Sequence, residues 1–415
     1  MRIFIFILVL ILIDIYAFQT LPAALRRHPQ HKRWAYGLYT GIAALCYLGI
    51  LLTGLKMVEL PRLPQAIFRT FLFTVYLSKF LMICLMALDD LRRLGSWIAR
   101  QVARLIRWGR PETSNRSPVS EGEPITRSEF LAKSSLALAT VPVLSTTYGM
   151  VVGAHDYRVR HQKVKLPQLP KEFEGLRIAQ ISDIHSGSFF NKTAVRRGIE
   201  MVNRQGADMV LFTGDLVNNR AKEMDEYFEV FNKIKAPLGV YSSLGNHDYG
   251  SYYRWKSEAA REQNFKDMIE LHERLGWKLL RNENELLRID GEALGILGVE
   301  NWSANPRFPR HGDLRKARQG ADEASVKLLL SHDPSHWKAQ VLNTDIDLML
   351  AGHTHGMQFG VEIAGIKWSP VEFAYDEWAG LYQKDGQYLY VNRGFGYIGL
   401  PARIGMPPEI TILEL

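Results

Sequence analysis

Four apolar runs occupy most of the first 153 residues, at about 1–20, 36–55, 65–88 and 134–153, and they constrain the chain more than any other feature. An α-helix rises 1.5 Å per residue, so about 20 apolar residues cross a hydrocarbon core. The first run carries only Arg2 and Asp14 as charges. A cleaved signal peptide is the alternative reading of that run, and the further spanning runs weigh against it. Lys79 falls inside the third run and needs a polar neighbour or a snorkelling path there. The fourth run is uncharged but rich in Ser and Thr, which makes it the least hydrophobic span of the set.

Flanking charge sets the orientation. Residues 21–35 hold Arg26, Arg27, Lys32 and Arg33 and no acid, and residues 88–133 hold nine basic residues against six acidic ones. Both connections are expected in the cytoplasm, with the N-terminus outside. If 134–153 spans, the rest of the chain is extracytoplasmic; if it lies on the surface, the rest stays inside. Leu91, Leu94, Ile98, Val102, Leu105 and Ile106 recur at helical spacing among six arginines, with Trp97 and Trp108 nearby, which reads as an interfacial helix against anionic lipid or as a plain cytosolic helix. The expected organisation is therefore membrane helices and basic helix over 1–110, a disordered linker over 111–128, a fourth membrane segment and connector over 129–165, and a separate domain over 166–415.

Composition bears on partners. The formal charge of +8 would suit nucleic acid, but residues 1–160 hold 20 Lys and Arg against 9 Asp and Glu, whereas residues 161–415 hold 31 against 34. The basic excess sits in the membrane half, and the separate domain is slightly acidic, so no specific nucleic-acid binding is expected. Cys46 and Cys84 both lie in apolar runs, which excludes a disulfide framework and a thiolate-rich zinc site.

From about residue 166 short β-rich runs alternate with helical stretches. Strands are expected at 176–182, 209–212, 239–243, 327–330, 346–350, 388–391 and 410–413, and helices at 193–203 and 221–235. In such α/β layouts ligands gather at the carboxyl ends of strands. Five clusters stand there: Asp183-Ile184-His185, Gly214-Asp215, Gly245-Asn246-His247-Asp248, Ser331-His332-Asp333 and Gly352-His353-Thr354-His355-Gly356. Residues two apart in extended chain face one side, so Asp183 with His185, and His353 with His355, can converge. Carboxylate, amide and imidazole suit Mn, Fe or Zn better than a calcium cage. Each cluster alone reads more readily as an ordinary turn than as a metal ligand; their joint order does not.

In that order the clusters resemble the signature of the calcineurin-like metallophosphoesterase superfamily over about residues 170–415, and the C-terminal stretch from Asn392 to Ile410 is similar to its bacterial membrane-associated or exported branch. The resemblance implies a four-layer α-β-β-α sandwich and a site for two divalent metal ions. Carried over, Asp183, His185 and His355 would hold one metal, Asn246, His332 and His353 the other, and Asp215 would bridge them. His247 would protonate the leaving oxygen, oriented by Asp248. Asp333 and Arg393 read either as groups that support the ligands from behind or, at least equally, as members of ordinary ion pairs. The branch has Gly-Gly-Gln after its Gly-His-Thr-His; here Met357 separates Gly356 from Gln358, which touches substrate approach and leaves every metal position intact. His155, His161, His272, His311 and His336 are expected as surface or linker residues.

The expected function is a membrane-anchored phosphoesterase of the bacterial cytoplasmic membrane, its catalytic domain extracytoplasmic, acting on a phosphomonoester, phosphodiester or pyrophosphate. The alternatives are an inner-surface hydrolase of a lipid-linked pyrophosphate such as a nucleotide-activated glycolipid, and a non-catalytic membrane sensor or scaffold. Residues 249–265 and 301–314 are the expected selectivity loops.

Overall fold

The computed structural model describes residues 2–55, 57, 58, 60–106, 126–363 and 365–415, and the chain divides into two compact units, Met1–Thr146 and Thr147–Leu415. The first unit is built from helices α1 (Arg2–Phe18), α2 (Thr20–Ala24), α3 (Pro29–Gly54), α4 (Arg62–Ile106) and most of α5 (Arg127–Val151). Four stretches, Ile3–Ala24, Pro29–Gly54, Arg62–Arg104 and Arg127–His155, have the length and composition to cross a membrane. The third span and the basic segment after it form one 45-residue helix. At the junction Asp89 accepts from Arg92 and Arg93 at 3.2 and 2.7 Å, and these i,i+3 and i,i+4 pairs carry the helix past the point where apolar sequence gives way to charge. Residues 107–125, with most of the expected linker, lie outside the described residues. Lys79 needs no snorkelling path: its ammonium meets the Asp14 carboxylate and lies 4.8 and 4.7 Å from the Tyr39 and Tyr76 ring centres.

The second unit contains strands β1 (Arg158–Lys163), β2 (Arg177–Ile181), β3 (Met209–Phe212), β4 (Val240–Ser242), β5 (Lys278–Leu279), β6 (Glu283–Ile289), β7 (Glu292–Gly298), β8 (Val326–Leu330), β9 (Leu348–Ala351), β10 (Val361–Ile363), β11 (Ile366–Trp368), β12 (Gly380–Lys384), β13 (Gln387–Val391) and β14 (Glu409–Glu414). Helices α6 (Lys192–Arg204), α7 (Phe228–Phe231), α8 (Glu258–Arg274) and α9 (Leu314–Arg318) lie between them. Two six-stranded sheets form, ordered β1-β14-β2-β3-β4-β5 and β12-β13-β9-β8-β7-β6, with β10-β11 as a separate hairpin.

Strand parity explains the layering. Ile178, Met209 and Leu211 of the first sheet share one apolar cluster with Leu328, Leu330, Leu348 and Leu350 of the second. Their neighbours Ala179, Ile181, Val210 and Phe212 turn the other way, into a cluster with Val195, Ile199 and Val202 of α6. Leu329, Met349 and Ala351 likewise face Leu314 and Ala317 of α9. Both faces of each central strand are thus buried, which is why these strands read as continuous apolar runs, and the expected α-β-β-α sandwich follows. In α6 the Asn191 side chain caps the helix through the Ala194 N–H at 3.0 Å, worth about 1 kcal/mol.

Two expectations change. Residues 221–235 do not form one helix: a 3-10 turn at Ala221–Met224 precedes the short α7, because the Glu223 carboxylate accepts from the Asn218 and Asn219 N–H groups and Asn264 accepts from the Ala221 N–H, fixing a loop. The expected selectivity loop at 249–265 ends inside α8, capped by Ser257, so only its first part is loop.

Candidate metal centre

All five clusters follow strands that lie side by side. The strands β2, β3 and β4 are parallel neighbours in one sheet, and β8 and β9 are parallel neighbours in the other. Their carboxyl ends therefore deliver Asp183, His185, Asp215, Asn246, His247, His332, His353 and His355 to one place. The chain must turn hard there. Asp183, His185, Asp215, His353 and His355 all have positive φ, between 49° and 69°, a region that costs a non-glycine residue about 1–2 kcal/mol. Close backbone approach supports the turns: at Gly352 a Cβ would collide with Ser182 Oγ and the Asp183 carboxylate.

Two donor sets share one oxygen. On one side His185 Nε2 and His355 Nε2 are 3.1 Å apart, and Asp183 Oδ1 lies 3.2 Å from His355 Nε2. On the other, His353 Nδ1 lies 2.9 Å from Asn246 Oδ1 and 3.3 Å from His332 Nε2. Asp215 Oδ2 lies 3.5 Å from His185 Nε2 and 3.1 Å from His332 Nε2. Asp183 reaches both sets, since its Oδ1 is also 3.9 Å from His332 Nε2. Asp183 with His185 and His355, and Asp183 with Asp215 and His332, are each grouped tightly enough to hold an ion.

The chemistry of these donors fits cations. Lone-pair atoms converge at hydrogen-bond distance with too few protons between them, and all but those of the half-buried His353 belong to buried residues. Burial depresses the basicity of His332, yet the Asp215 carboxylate beside it drives it up to about 10. Burial pushes Asp183 up, but His355 and His332 hold it below the usual carboxylate range. Burial drives His185 and His353 below the usual imidazole value, so the two carboxylates meet little protonic charge in the site besides that of His332. The orientation of each ligand is fixed from outside: His332 Nδ1 donates to the Thr213 carbonyl at 2.7 Å, leaving Nε2 to the site, and the Asn246 amide donates to Tyr252 Oη at 3.0 Å, turning its oxygen inward.

His247 and Asp248 do not form the expected pair. The Asp248 carboxylate accepts from the Asp215, Leu216, Val217 and Gly245 N–H groups and so holds the β3 and β4 loops together. Burial, with the Asp215 charge, pushes it up to about 7. What orients His247 is the Asn218 carbonyl, 2.7 Å from Nδ1; the His247 N–H donates to Asp215 Oδ1 at 2.8 Å, and its ring lies 5.0 Å from that of His185.

The sequence assigns no individual role to three groups and misplaces others. Buried Arg403 approaches His355 Nδ1 at 3.3 Å while donating to the Arg393 and Gly394 carbonyls. The Tyr252 ring lies tilted against that of His247, with centres 4.6 Å apart. Gln358, after the irregular Met357, is buried and donates to the Leu400 and Ala402 carbonyls, so the loop keeps its anchor. Asp333 lies 3.6 Å from His353 Nε2 and accepts from Tyr375 Oη, whereas Arg393 is spent on Glu409 and Glu362. His272 and His336 are buried core histidines rather than surface ones, bonded to Ser242 Oγ and Ser331 Oγ.

Comparison with known proteins agrees with this geometry. Residues 176–357 match the calcineurin-like phosphoesterase family, and residues 1–154 match the family described as calcineurin-like phosphoesterase, transmembrane domain. The chain is 31% identical over 289 residues to a transmembrane protein with metallophosphoesterase domain of Danio rerio, covering 68% of this chain and 62% of that one. It is 29% identical over 275 residues to the uncharacterized metallophosphoesterase YkuE of Bacillus subtilis, covering 65% and 88%. An uncharacterized metallophosphoesterase of Helicobacter pylori is 30% identical over 269 residues, covering 64% and 66%. The chain spans less than two thirds of the length of its vertebrate relatives. With five strand-end clusters joined in one Asp/His centre and four candidate spans before them, the chain belongs to the calcineurin-like phosphoesterases, in the form that couples the metallophosphoesterase domain to a transmembrane domain.

Proposed function

We propose that this chain is a membrane-anchored, metal-dependent phosphoesterase that hydrolyses a phosphomonoester, phosphodiester or pyrophosphate. The observation that carries the reading is Asp215 Oδ2, which stands between His185 Nε2 and His332 Nε2 and so joins two donor sets. Two divalent ions of the Mn, Fe or Zn class, when bound, would supply Lewis acidity toward phosphate oxygens and an acidified water for in-line attack. Asp183, His185 and His355 would hold one, Asn246, His332 and His353 the other, and Asp215 would bridge. Asp183 also approaches the second set, and it would stabilise both by charge.

His247 would give a proton to the leaving oxygen. Its Nδ1–H is committed to the Asn218 carbonyl, which leaves Nε2 as the atom that can exchange a proton with substrate. Asp248 would act only by holding the Asp215 and Asn246 loops in register.

The membrane is the bacterial cytoplasmic membrane in this reading, with the catalytic unit extracytoplasmic, supported by the fourth candidate span and the acid-free basic connection at 21–35. A reporter fused after Leu415 should then be active only in the periplasm; activity only in the cytoplasm would favour the inner-surface hydrolase of a lipid-linked pyrophosphate. The activity itself is tested by a hydrolysis screen of monoesters, diesters and lipid pyrophosphates with Mn, Fe or Zn added. Metal-dependent turnover of at least one class is expected. Protein that holds two metals and turns over none of them would be a scaffold instead.

A further inference from the structure

The β10-β11 hairpin is inside out. Its register pairs Val361 with Trp368, Glu362 with Lys367 and Ile363 with Ile366, so alternation puts Val361, Ile363, Ile366 and Trp368 on one face and Glu362 and Lys367 on the other. In a hairpin bathed by water the polar face turns out. Here the polar side chains reach toward the domain: half-buried Glu362 is paired with Arg160 and Arg393, and Lys367, although exposed, donates through Nζ to the Ala379 carbonyl and lies over the Trp378 ring. The apolar face is left bare, with Ile363 69% and Ile366 67% exposed, and Phe359 continues the row one residue pair earlier.

A second observation says what covers it. Among the described residues of the Thr147–Leu415 unit, large apolar side chains stand exposed mainly in two segments, 357–373 and 148–152. The second segment closes the candidate span Arg127–His155. The two are tied together: the Arg403 N–H donates to the Gly149 carbonyl at 3.2 Å, the Ile404 N–H to the Gln358 carbonyl at 2.7 Å, and the Gly360 N–H to the Ile404 carbonyl at 2.9 Å. The hairpin base is therefore hydrogen-bonded, through one strand bridge, to the point where a membrane span ends.

We infer that the apolar face of this hairpin docks on the lipid bilayer into which the chain is anchored, inserting Phe359, Val361, Ile363, Ile366 and Trp368 at the interface between headgroups and acyl chains. A bilayer is the one apolar medium that this chain always has beside it, and an amphipathic surface with its aliphatic side outward matches it. The hairpin begins six residues after His355, so docking holds that loop of the metal centre at the membrane surface.

The test uses the full chain in nanodiscs of phosphatidylcholine and phosphatidylglycerol, with Cys46→Ala and Cys84→Ser as background. Nitroxide labels are placed by Ile363→Cys or Ile366→Cys, and by Asp290→Cys as an exposed control on the β6-β7 turn. Labels at 363 and 366 should be several-fold more accessible to oxygen than to a water-soluble nickel chelate, and the label at 290 should show the reverse. Labels at 363 and 366 that behave like 290 would overturn the inference. So would labels shielded from both reagents, which would assign the face to a second copy or another protein. As a check that needs no substitution, phospholipid carrying a diazirine on its acyl chain should crosslink the native chain within residues 357–373; crosslinks confined to the spans would again overturn it.

Discussion

The membrane unit and the α/β unit both bury carboxylates, and they balance the charge in opposite ways. At Asp14 the chain supplies everything: the Lys79 ammonium, and hydroxyl donors from Tyr39, Tyr47 and Tyr76. The Asp14 charge is met by an ammonium of opposite sign and by hydroxyl donors, which is what a buried ion in an apolar medium requires. At Asp183 and Asp215 the partners are imidazoles and an amide whose own lone pairs face one another. That cluster is left short of positive charge by its own residues. The contrast separates a pair that holds helices together from a group that waits for cations.

The largest expected effect breaks the unmatched side. Asp215→Asn removes the shared charge and should lower hydrolysis on the order of 10³-fold or more and reduce bound metal, measured by elemental analysis of purified protein, whereas Asp14→Asn should leave metal content unchanged. Equal metal loss in both variants would erase the distinction. On the matched side, Lys79→Met strands the Asp14 carboxylate and should destabilise the membrane unit by about 3–5 kcal/mol in detergent unfolding, with Asp14→Asn/Lys79→Met recovering much of it. An additive double variant would show that the pair is not the coupling that the geometry suggests.

A smaller effect separates proton donor from ligand. His247→Gln should lower kcat about 10²-fold, roughly 3 kcal/mol, while metal stoichiometry stays at the native value; loss of metal would make His247 a ligand. The smallest concerns histidines that are neither. Burial pushes His272 down to about 3 and His336 to about 4, from near 6.5. The unfolded chain then binds protons that the folded one refuses, so their contribution is complete above about pH 6.5 and is lost as pH falls toward 4. Between pH 6.5 and 5 this amounts to at most about 2 kcal/mol for each. Thermal melts of His272→Asn, which cannot charge, should show a flatter acid slope than the native chain; an unchanged slope would place the loss elsewhere.

Much of the site was legible because its ligands are side chains at the ends of apolar strands. Such runs announce themselves, and Asp183-Ile184-His185 or His353-Thr354-His355 stands out beside them. The groups that aim those ligands were not legible. The Thr213 and Asn218 carbonyls that fix His332 and His247 are backbone atoms, which every residue carries, so no residue type marks them. Asp248 illustrates the opposite error: adjacency to His247 suggested a pair, but a positive-φ turn at Asp215 brings three backbone N–H groups to its carboxylate, beside that of Gly245 in its own loop. Likewise the apolar alternation of β10-β11 says that one face is apolar and nothing about which way it points.

The sequence by itself determined the spans, the strand-end clusters and the acidic balance of the second unit, because length, hydropathy and residue type are local properties. Tertiary structure decided which donors share an oxygen, which histidines are core and which are ligands, and which face of the hairpin is bare. These depend on strand order and register across separations of 100 residues or more, as between Asn246 and His353. Only the packed sheets bring such residues within reach of one ion.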